Sequence, residues 1–201
     1  MTVLLAGQET VFSTLSWFLF NYAKSDYWAE KARDEVEEIM QGQTEVTFEH
    51  LKKLDVIERM LKESQRMHPT IVQLNPRVLL TDLEIPKSEK YNLPPRKILK
   101  NSDVCINVAG LHKNPKYYKD PHIFNPDRWI DNDIDPFAFI PFAGGARQCI
   151  GKNFALFEIK VAAINLISRL KLELEVGNWP RIRHSITTGL QGSFMINVEE
   201  Y

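Results

Sequence analysis

Residues 141–154 read PFAGGARQCIGKNF, and a strongly apolar, helix-like run, FALFEIKVAAINLI, starts at the last of them. Glycines allow positive φ and the close approach of another group. A helix beginning just after Gly151 turns its free N-terminal amides and its dipole toward Cys149, which favours a thiolate over a thiol. Arg147 adds positive charge two residues away. A thiolate is a strong ligand for a soft metal such as iron, and backbone N–H groups near the sulfur tune that metal. The planar fork of Arg147 suits a carboxylate. The plainer alternative is a buried structural cysteine whose glycines serve only the turn.

The 201-residue chain is 44% hydrophobic, enough for a real core, and its net charge of -1 offers no basic surface for nucleic acid. Two cysteines, Cys105 and Cys149, make no disulfide framework and fit a reducing compartment. Neither CxxC nor HExxH spacing occurs, so a zinc site is not expected. The first residues, MTVLLAGQETVFSTLSWFLFNYAK, lack a basic leader region and a small-residue cleavage site. Gln8, Glu9 and Thr10 interrupt the apolar run and leave residues 11–23, short for a membrane span. A buried core helix is the better reading, and a chain that opens inside a core helix reads as a piece of something longer.

Working outward, residues 2–23 predict that helix. Ser25 and Asp26 start a second one, YWAEKARDEVEEIMQ, which Gly42 ends. Thr47, His50 and Leu51 open a helical turn, and LDVIERMLKESQRM predicts a further helix stopped by Pro69. IVQLNPRVLLTDLEI reads as short strands or extended chain, and residues 86–103 as an exposed Lys/Pro-rich loop. DVCINVAG is one more candidate strand. Residues 111–135 are proline-rich and without period, the mark of a long wrapped loop. A helix is predicted over 150–170, then two strands, LKLELEV and GSFMINVE, paired with each other. The total is mainly α with small β-sheets.

The cysteine loop fits F-x-x-G-x-R-x-C-x-G through Phe142, Gly145, Arg147, Cys149 and Gly151. This pattern resembles the haem-binding loop of the cytochrome P-450 family, the haem-thiolate monooxygenases. The resemblance implies that Cys149 is the axial iron ligand, that Arg147 pairs with a haem propionate and that Phe142 packs beside the sulfur. ESQRMHP supplies Glu63 and Arg66 at i, i+3, which alone would be an ordinary surface pair. Followed by His-Pro, it resembles the family's second signature, a buried pair joined by a third arginine; FNPDRW places Arg128 in that role. AGQET puts Gly7, Glu9 and Thr10 inside the first helix. Thr10 can return its hydroxyl to the Ala6 carbonyl, which bends or opens a helix. The stretch resembles the oxygen-binding helix, with Glu9 and Thr10 guiding protons; Val11 departs from the Thr or Ser that often follows. Arg77, in NPRVLLTDLEI, matches a propionate-binding strand. His112 reads as a hydrogen-bonded structural histidine. The one poor fit is residues 86–104, where a compact hairpin is usual and a surface insertion is read instead.

The resemblance therefore implies the C-terminal half of the cytochrome P-450 fold, a single partial domain over 1–201 running from the oxygen-binding helix to the C-terminus. It implies a monooxygenase that uses haem b, dioxygen and electrons from NADPH through a reductase to put one oxygen atom into a lipophilic substrate. Substrate-facing positions would be Val3, Leu4 and Ala6, then Ile71, Val72 and Leu74, then Thr188, Gly189 and Leu190. A eukaryotic parent would sit on the cytosolic face of the endoplasmic reticulum membrane through an N-terminal region that this chain lacks. The competing reading is a truncated, non-catalytic fragment that holds no haem stably; an exposed apolar face on residues 2–23 would support it.

Overall fold

The computed structural model describes residues 2–131, 133–175, 177, 181–184, 187–191 and 195–200; the side chains of 2, 3, 183, 184, 190 and 191 lie outside that description. Four helices build the core. The first, α1 (Thr2–Ala23), is apolar, and three of its polar side chains turn back on its own carbonyls: Thr10 to Ala6 at 2.6 Å, Thr14 to Thr10 at 2.9 Å and Asn21 to Trp17 at 2.8 Å. A polar group satisfied in this way can enter a core without the cost of an unpaired donor.

Helix α2 (Asp26–Met40) begins at Ser25, whose side chain accepts the Trp28 N–H, and buries Trp28, Ala32, Val36 and Met40 along one stripe. It ends one residue before Gly42: Gln41 itself takes the left-handed conformation, with φ 46°. Thr47 and His50 form a reciprocal capping box on the short α3 (Phe48–Lys53). Helix α4 (Val56–Met67) is capped from outside. Its N-cap residue Asp55 makes no side-chain cap, and Glu35 of α2 accepts the N–H groups of Asp55, Val56 and Ile57 at 2.6, 2.7 and 2.9 Å.

After the cysteine loop, α6 (Lys152–Ile167) brings Ile159, Ala163, Ile164 and Ile167 against Phe18, Ala32, Ile57, Met60 and Leu61. This is one continuous core shared by α1, α2, α4 and α6. The short α5 (Val108–His112) leads instead into a small second cluster around Tyr118, Trp129 and Ala138.

The strands form two-stranded antiparallel sheets. β1 (Arg77–Val78) pairs with β4 (Asp103–Val104), and β2 (Leu83–Ile85) with β3 (Arg96–Ile98). β5 (Leu170–Leu174) pairs with β8 (Ile196–Glu200), and β6 (Arg181–His184) with β7 (Thr188–Gln191).

Several expectations need correction. Residues 86–103 are not a bare surface loop: Arg96–Ile98 returns on Leu83–Ile85, and Asp103 and Val104 return on β1. The tip between them is tied down too. Tyr91 donates to Asp135 at 2.5 Å, and Lys116 donates to the Tyr91 carbonyl at 2.9 Å. The Tyr91 hydroxyl first, then the Phe137 N–H and Lys90, hold the Asp135 carboxyl down at about 2. The pairing was hidden because β2 and β3 are three residues each, too short to show a period of two. DVCINVAG contributes only its first two residues to a strand and turns into α5 at Val108. Thr10 does not open α1, which remains α-helical throughout. Nor is α1 buried on all sides: Leu4, Leu5 and Phe12 are exposed, Leu4 at 76%.

Candidate active site

Cys149 sits on a turn built by its neighbours. Ala143 takes a positive φ of 59° and Gly145 one of 68°; a 3-10 turn follows at Gly145–Arg147. The Cys149 N–H then donates to the Phe142 carbonyl at 3.0 Å, closing the loop. The thiol is exposed, as is Arg147, while Phe142 and Gly151 are half-buried. A Cβ added at Gly144 or Gly145 would meet nothing within 4 Å, so one side of the loop is open space. Ile150 beside it is fully exposed, at 100%, and Phe154 is exposed at 74%. Arg77 lies exposed on β1, and neither it nor Arg147 has a carboxylate partner among the described residues.

The donor set suits haem. Among the described residues no group of three His, Cys, Asp or Glu side chains could hold a metal ion. A metal on Cys149 would therefore bring most of its own ligands. An apolar macrocycle with carboxylates meets the needs of the open face, of Ile150 and Phe154, and of two unpaired guanidiniums.

Glu63, Arg66 and Arg128 come together in a buried cluster. Glu63, 0% exposed, accepts from Arg66 Nη2 and Nε at 2.8 and 2.9 Å. Arg128 Nε reaches both of its oxygens, at 3.0 and 3.1 Å. The Asn125 N–H and the Trp129 indole complete the shell at 3.0 and 3.1 Å. The spare donors of Arg66 go to the His112 and Pro121 carbonyls at 3.0 and 2.7 Å, and Arg128 takes the Lys119 carbonyl at 2.9 Å. Every charge here has partners, which a buried ion cluster requires. Trp129 adjoins Arg128 in the quoted FNPDRW, so its role was within reach of the sequence; the carbonyl acceptors were not.

On α1, Glu9 is exposed and Thr10 half-buried. Thr187 donates to Glu9 at 2.6 Å, a partner that the sequence did not suggest. Ser13 donates to the Thr188 carbonyl, and the Thr188 N–H donates to Thr70 at 2.6 Å. Thr14 and Thr70 share a hydroxyl contact at 2.9 Å. These bonds bring α1, the start of the 71–74 segment and β7 to one place. Ile71, Val72, Leu74 and Gly189 are half-buried there, Thr188 is buried, and Leu4 and Ala6 are exposed. The Val3 and Leu190 side chains lie outside the described residues.

A cavity of about 430 Å³ lies elsewhere, between α4, α6 and residues 136–144. Phe137, Ile140, Phe142, Lys62, Lys152 and Lys160 line it, and Glu9, Thr10 and the 71–74 segment do not. It is not the expected substrate pocket.

Fold and cysteine loop together point to the class of haem-thiolate proteins, and comparison with known proteins shows the family. The cytochrome P-450 family model matches residues 1–193, and the chain belongs to that family. Mouse "leukotriene-B4 omega-hydroxylase 3" is 32% identical over 203 residues, covering 98% of this chain and 37% of that protein. Human cytochrome P-450 4Z1 is 35% identical over 174 residues, covering 85% of this chain and 33% of that one. Among solved structures, the haem domain of cytochrome P-450DA superposes with a TM-score of 0.88 at 29% identity, over 100% of this chain and 43% of that one. The chain thus spans about a third of the length of these curated relatives.

Proposed function

We propose that this chain is the haem-binding portion of a monooxygenase acting on a lipophilic substrate. The carrying observation is the exposed Cys149 thiol on a glycine turn closed by the Phe142 carbonyl, with open space beside it. Haem, when bound, supplies dioxygen activation and oxygen transfer. The chain's own residues do the rest. Cys149 would hold the haem iron through its sulfur, with Phe142 against the sulfur and Gly145 and Gly151 keeping the approach clear. Arg147 and Arg77 would pair with the carboxylates.

Thr10 gives its proton to Ala6, so its oxygen lone pairs remain free to accept from water or substrate. Glu9, held by Thr187, stands one residue away as a carboxylate able to relay a proton. The fold partner of this machinery is the Glu63–Arg66–Arg128 cluster, which anchors the chain beneath the cysteine loop. The mouse relative is named for omega-hydroxylation of leukotriene B4. By extension, we place the substrate among long-chain lipids, with an NADPH-fed reductase as electron donor and the endoplasmic reticulum membrane as the location of the whole protein. Among the described residues no helix is long and apolar enough to cross a membrane.

The exposed Leu4, Leu5 and Phe12 favour a second reading, a fragment that folds but holds haem too loosely for catalysis. One experiment separates the two. The chain is reconstituted with haem, reduced and exposed to carbon monoxide. A red-shifted, thiolate-type Soret band that Cys149→Ala abolishes supports the enzyme. Absence of the band in the intact chain leaves the fragment.

A further inference from the structure

His112 is wholly buried, at 0% exposure, and the chemistry above gives it no task. It closes α5 and lies between the two functional features. Its carbonyl accepts from Arg66 of the ion cluster at 3.0 Å. Its ring Nε2 accepts the Ile140 N–H at 3.0 Å, and its ring lies 5.2 Å from that of Phe139. Among the described residues, Ile140 makes the last hydrogen bond that holds the chain entering the cysteine loop from outside that loop. Upstream, Tyr118 donates to the Ala138 carbonyl at 2.8 Å. Downstream, the loop bonds to itself: Ala143 N–H to the Ile140 carbonyl at 3.1 Å, then Cys149 N–H to Phe142 at 3.0 Å.

Between those two bonds lies Ala143 with φ 59°, a backbone state that a non-glycine residue keeps only when its surroundings over-determine it. We propose that His112 is a positioning residue for the Cys149 loop. Its neutral imidazole, by accepting the Ile140 N–H, fixes the strap that presents the Phe142 carbonyl to the Cys149 amide, and so sets the orientation of the thiolate. The haem consequence rests on the function proposed above; the backbone coupling does not.

Protonation would turn Nε2 into a donor facing another donor, so the imidazole must stay neutral with its proton on Nδ1. Burial first, then the charges of Arg66 and Lys113, hold the ring down at about 4. Nδ1 faces the Gln65 carbonyl, in a contact too loose to count as a full hydrogen bond.

The test uses the full chain. In the unsubstituted protein at neutral pH, the ¹⁵N spectrum of the imidazole should show Nε2 unprotonated and bonded to the Ile140 amide; a protonated Nε2 overturns the proposal. His112→Phe removes the acceptor, and His112→Gln offers a carbonyl oxygen in its place. His112→Phe should speed amide exchange at Ile140 and Cys149 on the order of tenfold, the loss of one hydrogen bond. Met60 in the main core should be unaffected, and His112→Gln should recover most of the protection. Equal loss across the core in both variants, or an unchanged Cys149 amide, would show a packing role only. If His112→Phe does not fold, the ¹⁵N spectrum and the Gln variant decide. In haem-loaded protein, the Phe variant should lose the thiolate-type carbon monoxide band that the Gln variant keeps. Failure of the unsubstituted chain to load haem would count against the proposed function, with the exchange data still deciding the role of His112.

Discussion

Glu63 shows how much a single carboxylate can carry. It is surrounded by two guanidiniums, an indole and a backbone amide, and its own side chain and that of Arg66 are wholly buried. Glu63→Gln keeps the shape but leaves two arginines without their counter-charge. Breaking a buried pair on one side costs about 3–5 kcal/mol. For a chain of this size that is a fall in melting temperature on the order of 10 °C, measurable by thermal unfolding. Glu49→Gln is the control, because its partner Lys52 is exposed and the change should stay within about 0.5 kcal/mol. A Glu63 variant as stable as the Glu49 variant would show that the cluster is not load-carrying.

The buried histidines give a second prediction at the same scale. Burial holds His112 down at about 4 and His68, whose ring stacks on Trp17 at 3.8 Å, at about 3. Both are neutral in the native state near neutral pH, whereas the unfolded chain takes up protons below about 6.5. Stability is therefore full above about pH 6.5 and falls as pH drops toward 4, where the native state begins to bind the proton at His112 as well. Each pK unit is worth about 1.4 kcal/mol, so between pH 7.5 and pH 5 His112 alone accounts for roughly 2 kcal/mol. Urea midpoints at pH 7.5 and pH 5 should differ accordingly, and His112→Gln should flatten the slope. A midpoint independent of pH over that range would contradict the neutral assignment.

Among the elements, α4 carries both the ion cluster and the core, and its start is held by another helix. Glu35 of α2 accepts three amides at the α4 N-terminus, where Asp55 supplies no cap of its own. Loss of a capping side chain costs about 0.5–2 kcal/mol, with the upper end expected for three bonds to a carboxylate. Glu35→Ala should lower the urea midpoint by that amount, while Asp55→Ala should change it far less. The reverse order would make Asp55 the true cap. This bond also shows where sequence reading stops. Helices α1, α2 and α4 were legible from the long apolar run of the first, the Ser25 and Gly42 signals that bound the second and the Pro69 stop after the last, and α3 because Thr47 and His50 lie within one turn. The thiolate loop was legible because its five defining residues are local. Glu35 on α4, Thr187 on Glu9 and His112 on Ile140 all join residues far apart in the chain, and nothing in their spacing marks them. The hairpin β6–β7 was missed because four-residue strands carry too little pattern to separate from loop.

Over the whole molecule, the balance between core and surface is uneven. Phe18, Ile57, Met60 and Ile164 pack one well-filled centre, yet Leu4, Leu5 and Phe12 on α1 and Ile150 and Phe154 around the cysteine loop are open to solvent. Single exposed apolar residues are ordinary; several on one helix are a surface that seeks cover. Burial of apolar area is worth about 25 cal/mol per Å² whatever covers it, so two copies of this chain gain by bringing such faces together. Sedimentation velocity should therefore show concentration-dependent self-association of the chain. Leu5→Lys with Phe12→Lys should reduce it, since both side chains are exposed and charge on them opposes close approach. Because neither residue belongs to the buried core, the melting temperature should hardly move. If the double variant associates as strongly as the unsubstituted chain, the driving surface is the cysteine-loop side instead. Haem loading, by covering Ile150 and Phe154, would then be what disperses it.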